Sequence, residues 1–141
     1  KRLHLGSHSL TDISALVKLA KLEELSLANN RITNLRPLAR LKQLKWLHLG
    51  NQGALLSHRY SSSQRAEASR HILKDISPLA GLRKLEVLIL DGNNITNMNT
   101  LAGLTQLREL SLRNNPNLTK AELEELQKAL PNCRVKHNAT K

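Results

Sequence analysis

Two rhythms of apolar residues alternate along this chain. Short stretches such as Leu25-Ser-Leu27, Leu47-His-Leu49, Leu88-Ile-Leu90 and Leu110-Ser-Leu112 place an apolar side chain at every second position. That is the period of a strand, so the leucines face one side and the residues between them the other. Each strand pattern gives way to apolar residues three apart, as in Ile32, Leu35, Leu38, Leu41 and in Leu73, Ile76, Leu79, Leu82. Pro37 and Pro78 stand inside these stretches and exclude a long helix, leaving extended chain or 3₁₀ turns.

Together the two rhythms make a repeat of the form Leu-x-x-Leu-x-Leu-x-x-Asn. Units open at Leu22, Leu44, Leu85 and Leu107, and Leu3, Leu5, Leu10 and Ile13 are the remains of one cut at its front. The units from Leu22 and Leu85 are 22 residues long, whereas the unit from Leu44 runs to Lys84 and takes 41. Leu73 to Leu82 matches Ile32 to Leu41, so the excess is an insertion of about 19 residues near Gly53–His71. A helical turn within Gln64–Arg70 is expected there, because Ser61-Ser62-Ser63 can cap a helix start. Loop insertions close at modest entropic cost, so the segment is expected to be dispensable for folding.

No unit is large enough to bury its own leucines, so the units must stack into a solenoid. One polar column runs through the repeat: His8, Asn30, Gln52, Asn93, Asn115. A buried amide needs partners, which the bent backbone of adjacent turns can supply. Gln52 breaks the column where the insertion begins, and an altered bend is expected there. At the carboxyl end, residues 116–135 read as a cap. Thr119 and Glu122 fit a capping box, Leu118 is placed to staple onto Leu123, and Leu123, Leu126 and Leu130 share one helical face. Pro131 stops that helix, and Cys133 and Val135 resume strand alternation. Lys1 falls inside a repeat, so residues 1–141 are expected to be one domain cut from a longer chain.

The registered units resemble the leucine-rich-repeat family in its short 22-residue class. The Pro-Leu-Ala-x-Leu segments at 37–41 and 78–82 are similar to bacterial internalin-type repeats. The resemblance implies an α/β right-handed solenoid with a parallel sheet on its concave face, 3₁₀ or extended segments on its convex side, and a C-terminal capping helix. It also implies a bacterial protein-interaction module at the cell surface, in the envelope or secreted.

Composition narrows the chemistry. Of 141 residues 31 are leucine, and only Trp46 and Tyr60 are aromatic, which excludes an interleaved aromatic surface for stacking bases. No apolar run approaches the 18 residues of a membrane span. The single cysteine, Cys133, allows no intrachain disulfide and alternates with Val135, as a buried small hydrophobe would. No phosphate-binding glycine loop, metal-ligand pair or nucleophile elbow occurs, so neither an enzyme nor a cofactor is expected. His4 and His48 occupy one column two strands apart, roughly 10 Å, too far to share an ion. Three sequons, beginning at Asn94, Asn117 and Asn138, mostly lie within repeat consensus.

The net charge of +11 raises the question of nucleic acid. Lys18, Lys21, Arg36, Arg40, Lys42, Lys45, Arg83 and Lys84 fall on the back or the loops of units and look spread along the rod, with no basic groove. The concave positions distinguish the chain instead. They are small or polar except for Trp46, Val87 and Ile89, which are lateral neighbours. An apolar cluster on a polar face marks a binding site, and tryptophan is the residue most enriched at hot spots. His48, Glu24, Asp91, Glu109 and Arg113 ring it, while Gly6, Ala28 and Gly50 leave the next column shallow. Asp91 and Arg113 are expected to pair across strands. The expected function is binding a protein partner through this face, without catalysis. The rivals are a basic nucleic-acid-binding solenoid and a spacer touching other domains of its own chain. A segment covering Trp46, drawn from Leu55, Leu56 and Tyr60, is the alternative to an open site.

Overall fold

The computed structural model describes residues 1–53, 61–63 and 72–140. Six three-residue strands form one parallel sheet in chain order. They are β1 (Arg2–His4), β2 (Glu24–Ser26), β3 (Trp46–His48), β4 (Val87–Ile89), β5 (Glu109–Ser111) and β6 (Arg134–Lys136). Leu25, Leu47, Leu88 and Leu110 stand in register across four strands. The long third unit therefore feeds β4 in the same register as a 22-residue unit, and its extra residues leave the sheet undisturbed. The path of those residues, and the helical turn expected at 64–70, lie outside the described residues.

Each strand is followed by a return segment on the other side of the core. Three of these contain 3₁₀ turns, at Ser14–Lys18, Arg36–Arg40 and Ser77–Leu79, with Pro37 and Pro78 in the first turn of the latter two. The fourth holds a single turn of α-helix, α1 (Asn99–Ala102). Between sheet and turns lies a core made almost wholly of leucine and isoleucine. Leu25, Leu27, Leu47, Leu49, Leu88, Leu90 and Leu110 have no exposed area at all. Burying each such side chain stabilises the fold by roughly 1.5–3 kcal/mol.

The polar column sews the coils together. Asn30 Nδ2 donates to the carbonyls of Leu5 and Leu27, and its Oδ1 accepts from the amides of His8 and Leu10. Asn93 bridges Leu49 and Leu90 in the same way, and Asn115 bridges Leu90 and Leu112. Gln52 does not change the bend. Its longer amide still reaches the Leu27 and Leu49 carbonyls and accepts from Ile32 N, while its own amide donates to Asn93 Oδ1. The residue before each column member, Ser7, Asn29, Asn51, Gly92 or Asn114, is left-handed in every coil. At Gly92 a Cβ would fall on the Asn51 side chain, so the glycine makes room for Asn51 there. His8 is the exception within the column, because its exposed side chain makes none of these bonds.

The last unit carries helix α2 (Lys120–Ala129), which opens on the capping box: Thr119 Oγ1 accepts from Glu122 N, and Glu122 returns to the Thr119 amide. Leu123, Leu126 and Leu130 bury one helical face. Gln127 Nε2 donates to the Leu130 and Cys133 carbonyls and fastens the helix to the turn before β6.

Candidate interaction face

Strand register turns the outward side chains into rows. One row reads Arg2, Glu24, Trp46, Val87, Glu109, Arg134; the next reads His4, Ser26, His48, Ile89, Ser111, Lys136. Trp46 therefore stands beside Val87, and His48 beside Ile89, as the sequence expects. All four are half-buried. They form an apolar centre between two charged wings. Arg2 pairs with Glu24 at 2.9 Å on one wing, and Lys136 pairs with Glu109 at 2.6 Å on the other. The Lys136 ammonium draws the Glu109 carboxyl below the usual range, by hydrogen bond first and charge second.

His4, which sequence reasoning left out of the site, belongs to it. Its ring centroid lies 6.3 Å from that of Trp46, and His48 meets Trp46 edge-on at 5.8 Å. The two histidines flank one indole. The signal was available in Ser26, whose small side chain lies in the row between His4 and His48 and is buried.

The shallow column differs from expectation at one point. Gly50 is buried, and a Cβ on it would come within 2.9 Å of His48 Nε2, so the histidine ring leans over the glycine. Burial lowers the His48 pKa, and the nearby Asp91 charge partly offsets the effect. Asp91 and Arg113 do pair, but through the backbone: Arg113 N donates to Asp91 Oδ1 at 2.8 Å. The Arg113 guanidinium forms no ion pair among the described residues and stays exposed on the rim. Cys133 is buried, and that burial raises its thiol pKa, the state of an inert hydrophobe. Among the described residues no three His, Cys, Asp or Glu side chains converge as metal ligands, and no helix is long and apolar enough to cross a membrane.

Comparison with known families and structures agrees with this fold. Residues 1–40 match a model for two copies of leucine-rich repeats, and residues 75–116 match a second leucine-rich-repeat model. No curated protein matches the chain. Among solved structures, internalin C2 of Listeria monocytogenes is 32% identical with a TM-score of 0.78, covering 98% of this chain and 51% of its own. A second Listeria monocytogenes internalin, InlF, is 26% identical with a TM-score of 0.72, over 97% of this chain and 35% of its own. A Leptospira interrogans leucine-rich-repeat protein shares the fold at 23% identity and a TM-score of 0.64, over 96% of this chain and 36% of its own. The chain belongs to the leucine-rich-repeat family, with repeats of the internalin type. It spans about half the length of internalin C2 and about a third of the other two.

Proposed function

We propose that the chain is a non-catalytic protein-binding module, and that its partner docks on the outward face of the sheet. One observation carries the reading: Trp46, Val87 and Ile89 meet in register as a half-buried apolar patch on a face that is otherwise small or charged. A dry centre with a polar rim is the anatomy of a protein interface. Trp46 is the anchor, Val87 and Ile89 extend it, and His48, Glu24, Asp91, Glu109 and Arg113 form the rim. Carboxylates from Glu24, Asp91 and Glu109 stand on this same face, which argues against nucleic acid there. A spacer would need no such patch. A cell-surface or secreted setting fits the kinship with internalins and is part of the proposal.

The chain's single tryptophan makes the test direct. Proteins captured by the wild-type chain are titrated against wild type and Trp46→Ala, with Trp46 emission followed in the wild type. A saturable blue shift supports the reading. A captured partner that binds both forms equally, with unchanged emission, overturns it.

A further inference from the structure

The two long edges of the solenoid differ in charge. One edge is made of the segments that run into β2–β5, at residues 18–23, 40–45, 80–86 and 103–108. It carries eight lysines and arginines against two carboxylates, Glu23 and Glu86. The opposite edge, where chain leaves the strands, carries three cations and three carboxylates among the described residues. The basic side chains are spread along the rod, as their sequence positions suggest, but most of them fall on one of its edges. Six of them, Arg40, Lys42, Lys45, Arg83, Lys84 and Arg108, fall in three consecutive coils, and all are exposed.

These coils touch along the edge. Lys45 N donates to the Glu23 carbonyl, Glu86 N to the Lys45 carbonyl and Arg108 N to the Glu86 carbonyl. Lys84 Nζ reaches Gln43 Oε1 across the same boundary at 2.6 Å. Lys45 pairs with Glu23 at 3.2 Å, but Arg40, Arg83 and Arg108 make no ion pair among the described residues. Lys42 and Arg83 hold the same position in successive coils, about one strand spacing of 4.8 Å apart, with Arg40 and Lys84 beside them and Arg108 in the next coil. The array is a line rather than a pocket.

Its chemistry selects among polyanions. No aromatic side chain stands in these segments to stack on bases, and no α-helix lies there to enter a groove. From Arg40 onward their leucines, Leu41, Leu44, Leu82, Leu85, Leu104 and Leu107, are buried. Leu19 in the first segment is the one large apolar side chain exposed among the described residues, which is too little to anchor the edge in a bilayer. A line of cations that interacts by charge alone fits a linear chain of anions. We propose that this edge binds an acidic polysaccharide laid along the stacking axis, separately from the protein-binding face.

Heparin serves as the probe, in binding isotherms over a salt series. Arg40→Glu with Lys42→Glu is compared with Lys74→Glu plus Lys120→Glu, an exposed pair off the edge with the same change in net charge. The edge pair should weaken binding by about tenfold or more and lower the salt slope by about two, one for each cation replaced. The off-edge pair should change affinity less than about threefold. Arg83→Gln with Lys84→Gln removes charge without reversing it and gives the same answer should the reversal perturb folding. Trp46→Ala should bind heparin as wild type does, which separates this edge from the protein-binding face. Equal losses from both charge-reversed pairs would reduce the effect to net charge and overturn the proposal. So would tighter binding through this edge to phosphatidylserine vesicles or duplex DNA than to heparin.

Discussion

Leu47 and Trp46 are neighbours in one strand, and each heads a row of equivalent positions across the sheet. The inward row, Leu3, Leu25, Leu47, Leu88, Leu110 and Val135, holds one kind of side chain throughout. The outward row, Arg2, Glu24, Trp46, Val87, Glu109 and Arg134, holds cation, anion, aromatic and aliphatic in turn. The stacking geometry is the same for both, so the difference lies in what each row must satisfy. An inward residue has to fill a space whose walls are the coils before and after it, and at native packing density few side chains fit. An outward residue meets solvent on one side and is free to vary. Uniformity is the mark of folding, and departure from the repeat is where specific function has room to sit.

The largest effects should come from breaking the inward row. Leu88 is fully buried between the coils of Leu47 and Leu110. Leu88→Ala should cost roughly 2–5 kcal/mol of stability, read by urea denaturation, because the strands on either side can only partly close the cavity. A loss well below that range would show that the coils slide to fill space, and the contrast between the rows would weaken.

The polar column is next. Asn93→Ala would leave the Gln52 backbone amide unpaired and would take one of two donors from each of the Leu49 and Leu90 carbonyls, which keep Gln52 Nε2 and Asn115 Nδ2. A buried amide left unpaired costs about 1–3 kcal/mol, so a loss of about 2 kcal/mol is expected, with faster amide exchange in the flanking turns. Gln52→Ala should behave similarly. If it proved neutral, the glutamine would be a surrogate in geometry only.

The sequence made the inward row legible because packing forces it to repeat: strand register, proline-bearing turns and the Thr119–Glu122 box all follow from local pattern. The outward row was legible as far as register goes, which is why Trp46, Val87 and Ile89 could be placed together. What escaped was side-chain reach. Strand spacing alone kept His4 apart from the site, but the indole spans the small Ser26 and meets it. The same limit applied to Gln52, where one extra methylene preserves the asparagine's bonds, and to Asp91, whose carboxylate finds the Arg113 amide before its guanidinium. The basic edge was hidden because residues such as Lys42 and Arg83 are distant in sequence and come to equivalent positions of adjacent coils only through stacking.

Breaking the outward row should leave the fold and take the function. Trp46→Ala removes a half-buried ring, so stability should fall by only about 1 kcal/mol, whereas partner binding should weaken by about 2 kcal/mol or more. Thermal melts and binding isotherms on the same variant read the two effects. A stability loss as large as that of Leu88→Ala would put Trp46 in the core and erase the distinction between the rows.

The smallest expected effect sharpens the comparison most finely, since it tests how far one outward residue has been drawn inward. His48 is half-buried, and burial holds its pKa below the ordinary histidine value near 6.5, with Asp91 opposing the shift. The unfolded chain therefore takes up this proton at higher pH than the folded chain does. Stability from a neutral His48 is fully present above about pH 6.5 and is lost as pH falls through the folded-state pKa. Between pH 7.5 and 5.5 the urea midpoint of wild type should drop more than that of His48→Gln, which has no proton to gain. A partner seated on Trp46 would bury His48 further and push its pKa lower still, so binding should also weaken in acid. If NMR titration instead placed the His48 pKa above 6.5, the Asp91 charge would outweigh burial. His48 would then act as a charged rim residue, and complex formation would take up a proton at low pH or leave its charge unchanged.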